Sequence, residues 1–502
     1  MELVFREERF AYLAEKRYDL IFQEQTAETV IPETMPEIAR ILDTFGTLLV
    51  QSKAVENGSV RVTGGIQAGV LYLPEGADQP ERIEVWIPFT LQKKTATEEN
   101  TTLFYWGWIR SLETRFINSR KVLVKAGIGS EITLLTPTEG KTAELDRIPE
   151  GLECRTNQYP MRLPLAAAEK ELQIADEVLM PEQTPGIDRL LKTSCRVEIE
   201  ECRCIGSKAV FKGNLALRIL YTTEAGPLAA WEGTVPFSQY AELDREVEDG
   251  IVVVQPIFRH LELDSDGQPD SHRLLLNTTV QAQMVVRGIV ELKLTEDAYC
   301  LSGEWKPQWQ TVELTPCLDV VDRALPQTIQ MPENASELLD STCFADRGAY
   351  TDDVPLSGSV RVNLLYYDAD RKLQNRTLTQ SFREFGPGEI PPEPICRLDL
   401  TGEPQQAGAS VRIPLRAQMI CLKRMSWQNL CGGTMESGQR TEGPSLVVKT
   451  VEGDLWSLAK EYRTTVRAIC AANGLETEQI GGPRQLLIPT GGMTWGAEGG
   501  LE

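Results

Sequence analysis

The residues of this chain able to do chemistry are few and poorly arranged for it. In 502 residues there are two histidines, His260 and His272, eleven cysteines, and a surplus of acids that sets the net charge at −22. A histidine base needs a nucleophile or carboxylate partner. Both histidines fall within 161–310, and neither is echoed in the rest of the chain, so surface positions are expected. Asp264-Ser265-Asp266-Gly267 opens like a calcium loop but lacks the third in-register ligand and the distal glutamate; Asp-Gly is a turn by preference. Gly127-Ile128-Gly129 lies in a strand pattern with no helix after it to receive a phosphate. Cys202-Arg203-Cys204 is the closest cysteine pair, and no CxxC or Cys/His set completes a zinc site. These spacings predict a chain that is not an enzyme and uses no metal or cofactor.

The residues suited to binding lie near the end, in VEGDLWSLAKEYRTTVRAICAANGL (451–475). Trp456 falls one position off an apolar stripe, beside Lys460, Arg463 and Arg467. Trp and Arg are the types enriched at interface hot spots. A partly solvent-facing indole is therefore expected, either as a rim residue over a small core or as a binding anchor.

The elements that position these residues follow from periodicity. Leu446 to Thr450 reads as a strand and Glu452-Gly453-Asp454 as a turn. Leu455, Leu458, Ala459 and Tyr462 have the i, i+3, i+4, i+7 spacing of a buried helix face. Thr464 is placed to cap a second helix carrying Val466 and Ile469. Asn473-Gly474 ends it in the left-handed region, and Gln485 to Ile488 closes the unit as a strand. The result is a βααβ unit at 445–490 with five basic and five acidic side chains.

Upstream, the chain repeats with a period of about 150 residues. VTGGIQAGVLYL (62–73), FKGNLALRILYT (211–222) and LSGSVRVNLLYY (356–367) each place a glycine eight residues before a tyrosine, with alternate apolar positions between. Strict alternation is a half-buried strand. Turns follow near Glu75-Gly76, Ala225-Gly226 and Asp368-Ala369-Asp370, and returning strands carry Phe89, Phe237 and Phe382. Before each lies a proline motif, IPETMP, MPEQTP or MPENAS, which predicts a short helix-like segment leading into a strand. The fold class is mainly β: three tandem β-sandwich-like repeats at 1–160, 161–310 and 311–431, followed by the small α+β unit. Residues 432–444, GGTMESGQRTEGP, have the composition of a flexible tether, roughly 20 Å end to end as coil. Residues 491–502 are expected to be a disordered tail.

The acidic body argues against nucleic acid and anionic lipid. No apolar run spans a bilayer, so membrane insertion is not expected. The opening residues lack a secretory pattern, and the scattered, odd-numbered cysteines suit a reducing compartment; the cytosol is the expected location. Self-association through free strand edges stays open.

The C-terminal unit resembles a LysM domain, on Gly453, Asp454, Leu455, Trp456, Leu458, Ala459, Tyr462, Val466, Ile469, Asn473, Leu475, Leu486, Ile488 and Pro489. That family's groove for N-acetylglucosamine glycans corresponds here to Glu452–Leu455 and Gly474–Gly481. The candidate binding residues are Gly453, Asp454, Leu455, Trp456, Lys460, Arg463, Asn473, Gly474 and Ile480. The chain departs from the family pattern between Asp454 and Leu455, where a Thr or Ser is missing, and at Gly482-Pro483-Arg484-Gln485. With the three repeats, the whole resembles the SipL-type spore-coat proteins, which carry three SPOCS domains and a C-terminal LysM domain. What that resemblance implies is a mother-cell protein at the forespore surface, a scaffold whose LysM unit contacts the coat-morphogenetic ATPase SpoIVA. The alternative is a peptidoglycan- or N-acetylglucosamine-binding envelope protein.

Overall fold

In the computed structural model the described residues are 2–490, except 19, 57, 96–99, 225, 269, 348–356, 384–393, 437–445 and 478. The first unit runs β1 (Phe5–Arg17), β2 (Ile21–Val30), β3 (Ile38–Glu56), β4 (Ser59–Pro74), β5 (Glu81–Lys94), β6 (Thr102–Asn118) and β7 (Lys121–Leu145). Strands β3-β4-β5 form an antiparallel meander, and β7 pairs with β1, β2 and β6 in a second sheet. One apolar cluster, with Val62, Ile66, Tyr72 and Ile87 from the first sheet and Val124, Ile128 and Ile132 from the second, fills the space between them. This is a small sandwich, as the alternation predicts.

The second unit repeats the plan: β8 (Leu152–Leu179), β9 (Arg189–Ile205), β10 (Lys208–Thr222), β11 (Leu228–Glu242), β12 (Ile251–Ser265) and β13 (Arg273–Cys300). Its meander is β9-β10-β11, and β8 takes the place of β1 and β2 along nearly the whole of β13. In the third unit that outer strand is broken into β14 (Glu304–Leu314), β15 (Cys317–Ala324) and β16 (Gln327–Gln330). The meander β17 (Ala335–Arg347), β18 (Ser357–Asp368) and β19 (Leu373–Arg383) follows. Then come β20 (Pro394–Leu400), β21 (Gln405–Ala407), β22 (Ser410–Ile413), β23 (Leu415–Leu422) and β24 (Met425–Glu436).

The repeat signature has a local cause. Gly64, Gly213 and Gly358 are the register partners of Phe89, Phe237 and Phe382. A Cβ at those glycines would overlap the carbonyl oxygen of Leu49, Glu198 or Asp346. Each glycine thus lets the neighbouring backbone approach closely. The tyrosines reach back to the proline motifs: Tyr72 Oη donates to the Pro36 carbonyl at 3.1 Å and Tyr221 Oη to that of Pro185 at 2.8 Å. In the shortened third motif, Tyr366 Oη meets Asn334 Oδ1 at 3.4 Å.

The proline motifs themselves are turns, and the segments after them, expected to be helix-like, lead straight into β3, β9 and β17. The amides of Met35, Thr184 and Ala335 bond the carbonyls of Pro32, Pro181 and Pro332 at 2.9, 3.0 and 2.9 Å, and a strand follows each turn. The runs IARIL (38–42) and IDRLL (187–191) that follow two of the motifs are only five residues long, too short for their period to separate a helix from a buried strand. The boundaries drawn at 160, 310 and 431 fall inside β8, β14 and β24; pairing passes between units at 146–151 and 301–303. Residues 432–436, assigned to the tether, are paired strand, Gly432 to Glu436 lying opposite Gln308 to Glu304. The rest of the tether, the tail and Ala225 lie outside the described residues.

The three units pack around one axis. Leu42, Leu191 and Leu339 each occupy a β-bulge at the same register step, so that Asp43, Lys192 and Asp340 lie opposite Leu71, Leu220 and Leu365. The six leucines share one cluster. Beside it, Lys192 Nζ donates to Asp340 Oδ2 at 2.6 Å and to Asp43 Oδ2 at 3.1 Å, all three side chains being buried. Arg218 Nε reaches Asp340 Oδ1 at 2.7 Å, and Asn363 Nδ2, at the equivalent position of β18, reaches Asp43 Oδ1 at 2.7 Å. Burial by itself would lower the Lys192 pKa, but Asp340 and Asp43 outweigh it and hold the ammonium above its ordinary value. Burial would likewise raise Asp340; Lys192 and Arg218 overcome this and hold it low.

Candidate functional site

The C-terminal unit consists of β25 (Leu446–Asp454), α1 (Leu455–Glu461), α2 (Val466–Asn473) and β26 (Gln479–Pro489). Among the described residues these are the only α-helices. Asp454 caps α1, its Oδ1 accepting from the Trp456 amide at 3.2 Å. The cap of α2 is Thr465, not Thr464: its hydroxyl accepts from the Ala468 amide at 3.0 Å. Gly474 ends α2 with φ 61°, as Asn473-Gly474 predicts. Leu455, Leu458, Ala459, Val466, Ile469, Leu486 and Ile488 make the core, and Tyr299 of β13 and Leu301 just beyond it complete it.

The unit is therefore not a free module. Its α1 face is docked on the end of β13. Trp456 Nε1 donates to Asp297 Oδ2 at 2.8 Å, and Lys460 Nζ to Asp297 Oδ1 at 2.6 Å. The Trp456 and Tyr299 rings meet edge to face, 5.0 Å between centroids. Tyr299 Oη donates to the Thr464 carbonyl at 2.7 Å, Arg155 pairs with Asp454 at 2.8 Å, and Arg463 Nη1 reaches the Gly303 carbonyl at 3.4 Å. Burial works to raise the Asp297 pKa, but the bonds from Lys460 and Trp456 win and hold it below the usual carboxylate value. Burial pushes the Tyr299 phenol up.

This corrects the expected exposure of Trp456, which is 9 % accessible. One position off the stripe of a seven-residue helix is still close enough to its buried face to be covered by a second domain. Of the other site residues, Leu455 is core and Ile480 packs against it. Asn473 is a brace: Nδ2 donates to the carbonyls of Ile469 and Leu487 at 2.8 and 2.7 Å, while Oδ1 accepts from the Leu487 amide at 2.8 Å. Gly453 is exposed and needs its glycine, at φ 104°. The closing strand starts at Gln479 instead of Gln485, so Gly453 pairs with Ile480 and Asp454 with Gln479. The two stretches expected to flank a sugar groove are thus zipped together.

Asp297, Tyr299 and Arg155 are the site residues that periodicity missed. Nothing near them in the chain marks them, because their partners lie 159 to 299 residues away. On the opposite side of the unit, β25 and β26 present Leu446, Val448 and Leu487, which are 46, 56 and 39 % exposed. Val448 and Leu487 are register partners, so the three form one apolar strip.

No group of three His, Cys, Asp or Glu side chains is placed to hold a metal among the described residues. His272 Nε2 contacts the Thr184 carbonyl at 2.8 Å, bracing the second proline turn, and His260 is exposed beside Glu262. Asp266-Gly267 is a turn, Gly267 having φ 73°. All eleven cysteines are free thiols. No helix of the described residues is long and apolar enough to cross a membrane.

A family model, SipL, SPOCS domain, matches residues 186–265, from just before β9 through β12. No curated protein and no solved structure matches the chain. The match is confined to part of the second unit, and it marks that stretch as similar to the SPOCS domain of SipL.

Proposed function

We propose that this chain is a non-catalytic scaffold of the bacterial spore envelope. In this reading its C-terminal unit captures a coat-morphogenetic protein, an ATPase of the SpoIVA type. The observation that carries the proposal is the apolar strip of Leu446, Val448 and Leu487 on a unit whose other face is held by Asp297. Apolar side chains gathered on a two-stranded ribbon suit a protein partner. They offer little to a polysaccharide. The pairing of Gly453 with Ile480 engages backbone groups that an acetamido sugar would need. The sporulation-family match in the second unit is consistent with this role.

The triplicated body supplies rigidity and further contacts. Once the C-terminal unit is bound, a second weak contact from the same chain sees an effective concentration on the order of millimolar.

The test is a binding titration of the full chain against the purified coat ATPase, with a parallel sedimentation assay on purified peptidoglycan. Binding to the ATPase is expected, weakened at least roughly tenfold by Val448→Asp. Retention on peptidoglycan with no affinity for the ATPase would overturn the proposal in favour of a glycan-binding envelope protein.

A further inference from the structure

A cavity of about 760 Å³ opens where the three units meet, within the size range of small-molecule sites. Its floor is one face of the third unit's sheet β15-β23-β20. In that sheet Arg397 lies opposite Gln418 and Asp399 opposite Arg416. The alternate residues Leu398, Ala417 and Met419 point the other way, into the third unit's core. Taken alone, that unit would present this polar face to water. Here Trp106 of β6, 5.5 Å from the Arg397 guanidinium, and Pro256 of β12 line the same cavity.

Most charges around the cavity are paired. Arg196 pairs with Glu403, Arg218 with Asp340, and Lys192 with Asp340 and Asp43. Arg397 and Arg416 are different. Arg397 donates Nη2 to Gln255 Oε1 at 2.9 Å and lies 5.5 Å from the Trp106 ring centroid, yet has no carboxylate in contact among the described residues. Its Nε is buried without a partner, and so is that of Arg416, whose facing carboxylate, Asp399, acts on it only at longer range.

The carboxylates that act on Arg397 at longer range are Glu131, already bound to Arg347 at 2.6 Å, and Asp399. Enclosure pushes the Arg397 pKa down and that of Asp399 up, the direction expected where charges are poorly paired. A guanidinium does not discharge by losing its proton, and an enclosed unpaired cation is costly.

We propose that this cavity binds a small organic carboxylate. Its oxygens meet the Arg397 and Arg416 guanidinium groups, and its apolar part lies against Trp106 and Pro256. Two planar forks one cross-strand diagonal apart match the geometry of a carboxylate, and bonds between two ionised groups are the stronger kind. An aromatic carboxylate is favoured by the Trp106 wall.

The experiment is calorimetric titration of the full chain with benzoate, phthalate and inorganic phosphate. Saturable one-to-one binding of phthalate or benzoate is expected. Arg416→Gln and Arg397→Gln should each weaken it at least roughly tenfold, the equivalent of one charge-assisted interaction. Arg424→Gln, an exposed cation elsewhere, should leave it unchanged. Should the glutamine variants fail to fold, phenylglyoxal modification of the unaltered chain reads the same site: phthalate should shield Arg397 and Arg416 but not Arg424. No saturable carboxylate binding, binding of phosphate alone, or binding indifferent to both arginines would each overturn the proposal.

Discussion

Lys192 and Asp340 occupy the same position in two different repeats, yet their side chains meet, Nζ 2.6 Å from Oδ2. The third equivalent position is Asp43, which takes the same ammonium at 3.1 Å. Three copies of one residue would place like charges together at the axis. One lysine between two acids, with Arg218 and Asn363 on the outer oxygens, turns the sequence difference among the repeats into the contact that joins them.

Removing the cation should be costly. Lys192→Met leaves Asp43 and Asp340 buried without their ammonium, and breaking a buried pair in this way destabilises by about 3–5 kcal/mol. Urea unfolding should show that loss, and the charge exchange Lys192→Asp with Asp340→Lys should recover part of it. A loss under about 1 kcal/mol would mean that the axis is wetter than its burial indicates.

The axis also sets a pH window. Asp340 is held low, so its contribution is present above the unfolded carboxylate value near 3.9 and is lost as pH falls through the folded value. Lys192 is held high, so its contribution is present below about 10.4 and is lost as pH rises through the folded value. The stability difference between the wild type and Asp340→Asn should therefore stay flat from about pH 4 to pH 10 and shrink below that range. A difference that already shrinks between neutral pH and pH 5 would contradict the assigned direction.

Docking of the C-terminal unit rests on Asp297. Asp297→Ala removes the acceptor of both Trp456 Nε1 and Lys460 Nζ. Lys460 is substantially exposed, so the ion pair adds little; the indole bond and the lost packing put the cost at about 1–2 kcal/mol. Hydrogen exchange of the α1 amides and the emission of Trp456 should both report release. Because Asp297 is held low, docking should loosen as pH falls through its folded value, not as pH rises.

The glycines of the repeat are packing residues. Gly213→Ala places a Cβ against the Glu198 carbonyl, which is backbone and cannot swing away. A loss of about 1–3 kcal/mol is expected, read as a shift in the urea midpoint. Gly482→Ala, with open space around it, should be close to neutral and serves as the control.

How much of this was legible beforehand follows from the range of each interaction. Alternation of apolar residues decided the strands, and the Gly213–Phe237 and Tyr221–Pro185 contacts repeat because each couples residues 24 and 36 apart inside one unit. Caps and turns are shorter still, so Asn473-Gly474 and Asp266-Gly267 were readable directly. Helix and strand were confused only after the proline motifs, where the apolar run was too short to show its period.

Two features had no local mark. The axis joins Asp43, Lys192 and Asp340 across 148 and 149 residues, and the docked unit joins Asp297 to Trp456 across 159. In the chain each of these is an ordinary charged or aromatic side chain with a plausible place in water. What buries them is the way complete sandwiches stack, and that depends on the shapes and charges of finished surfaces, which no window of sequence contains.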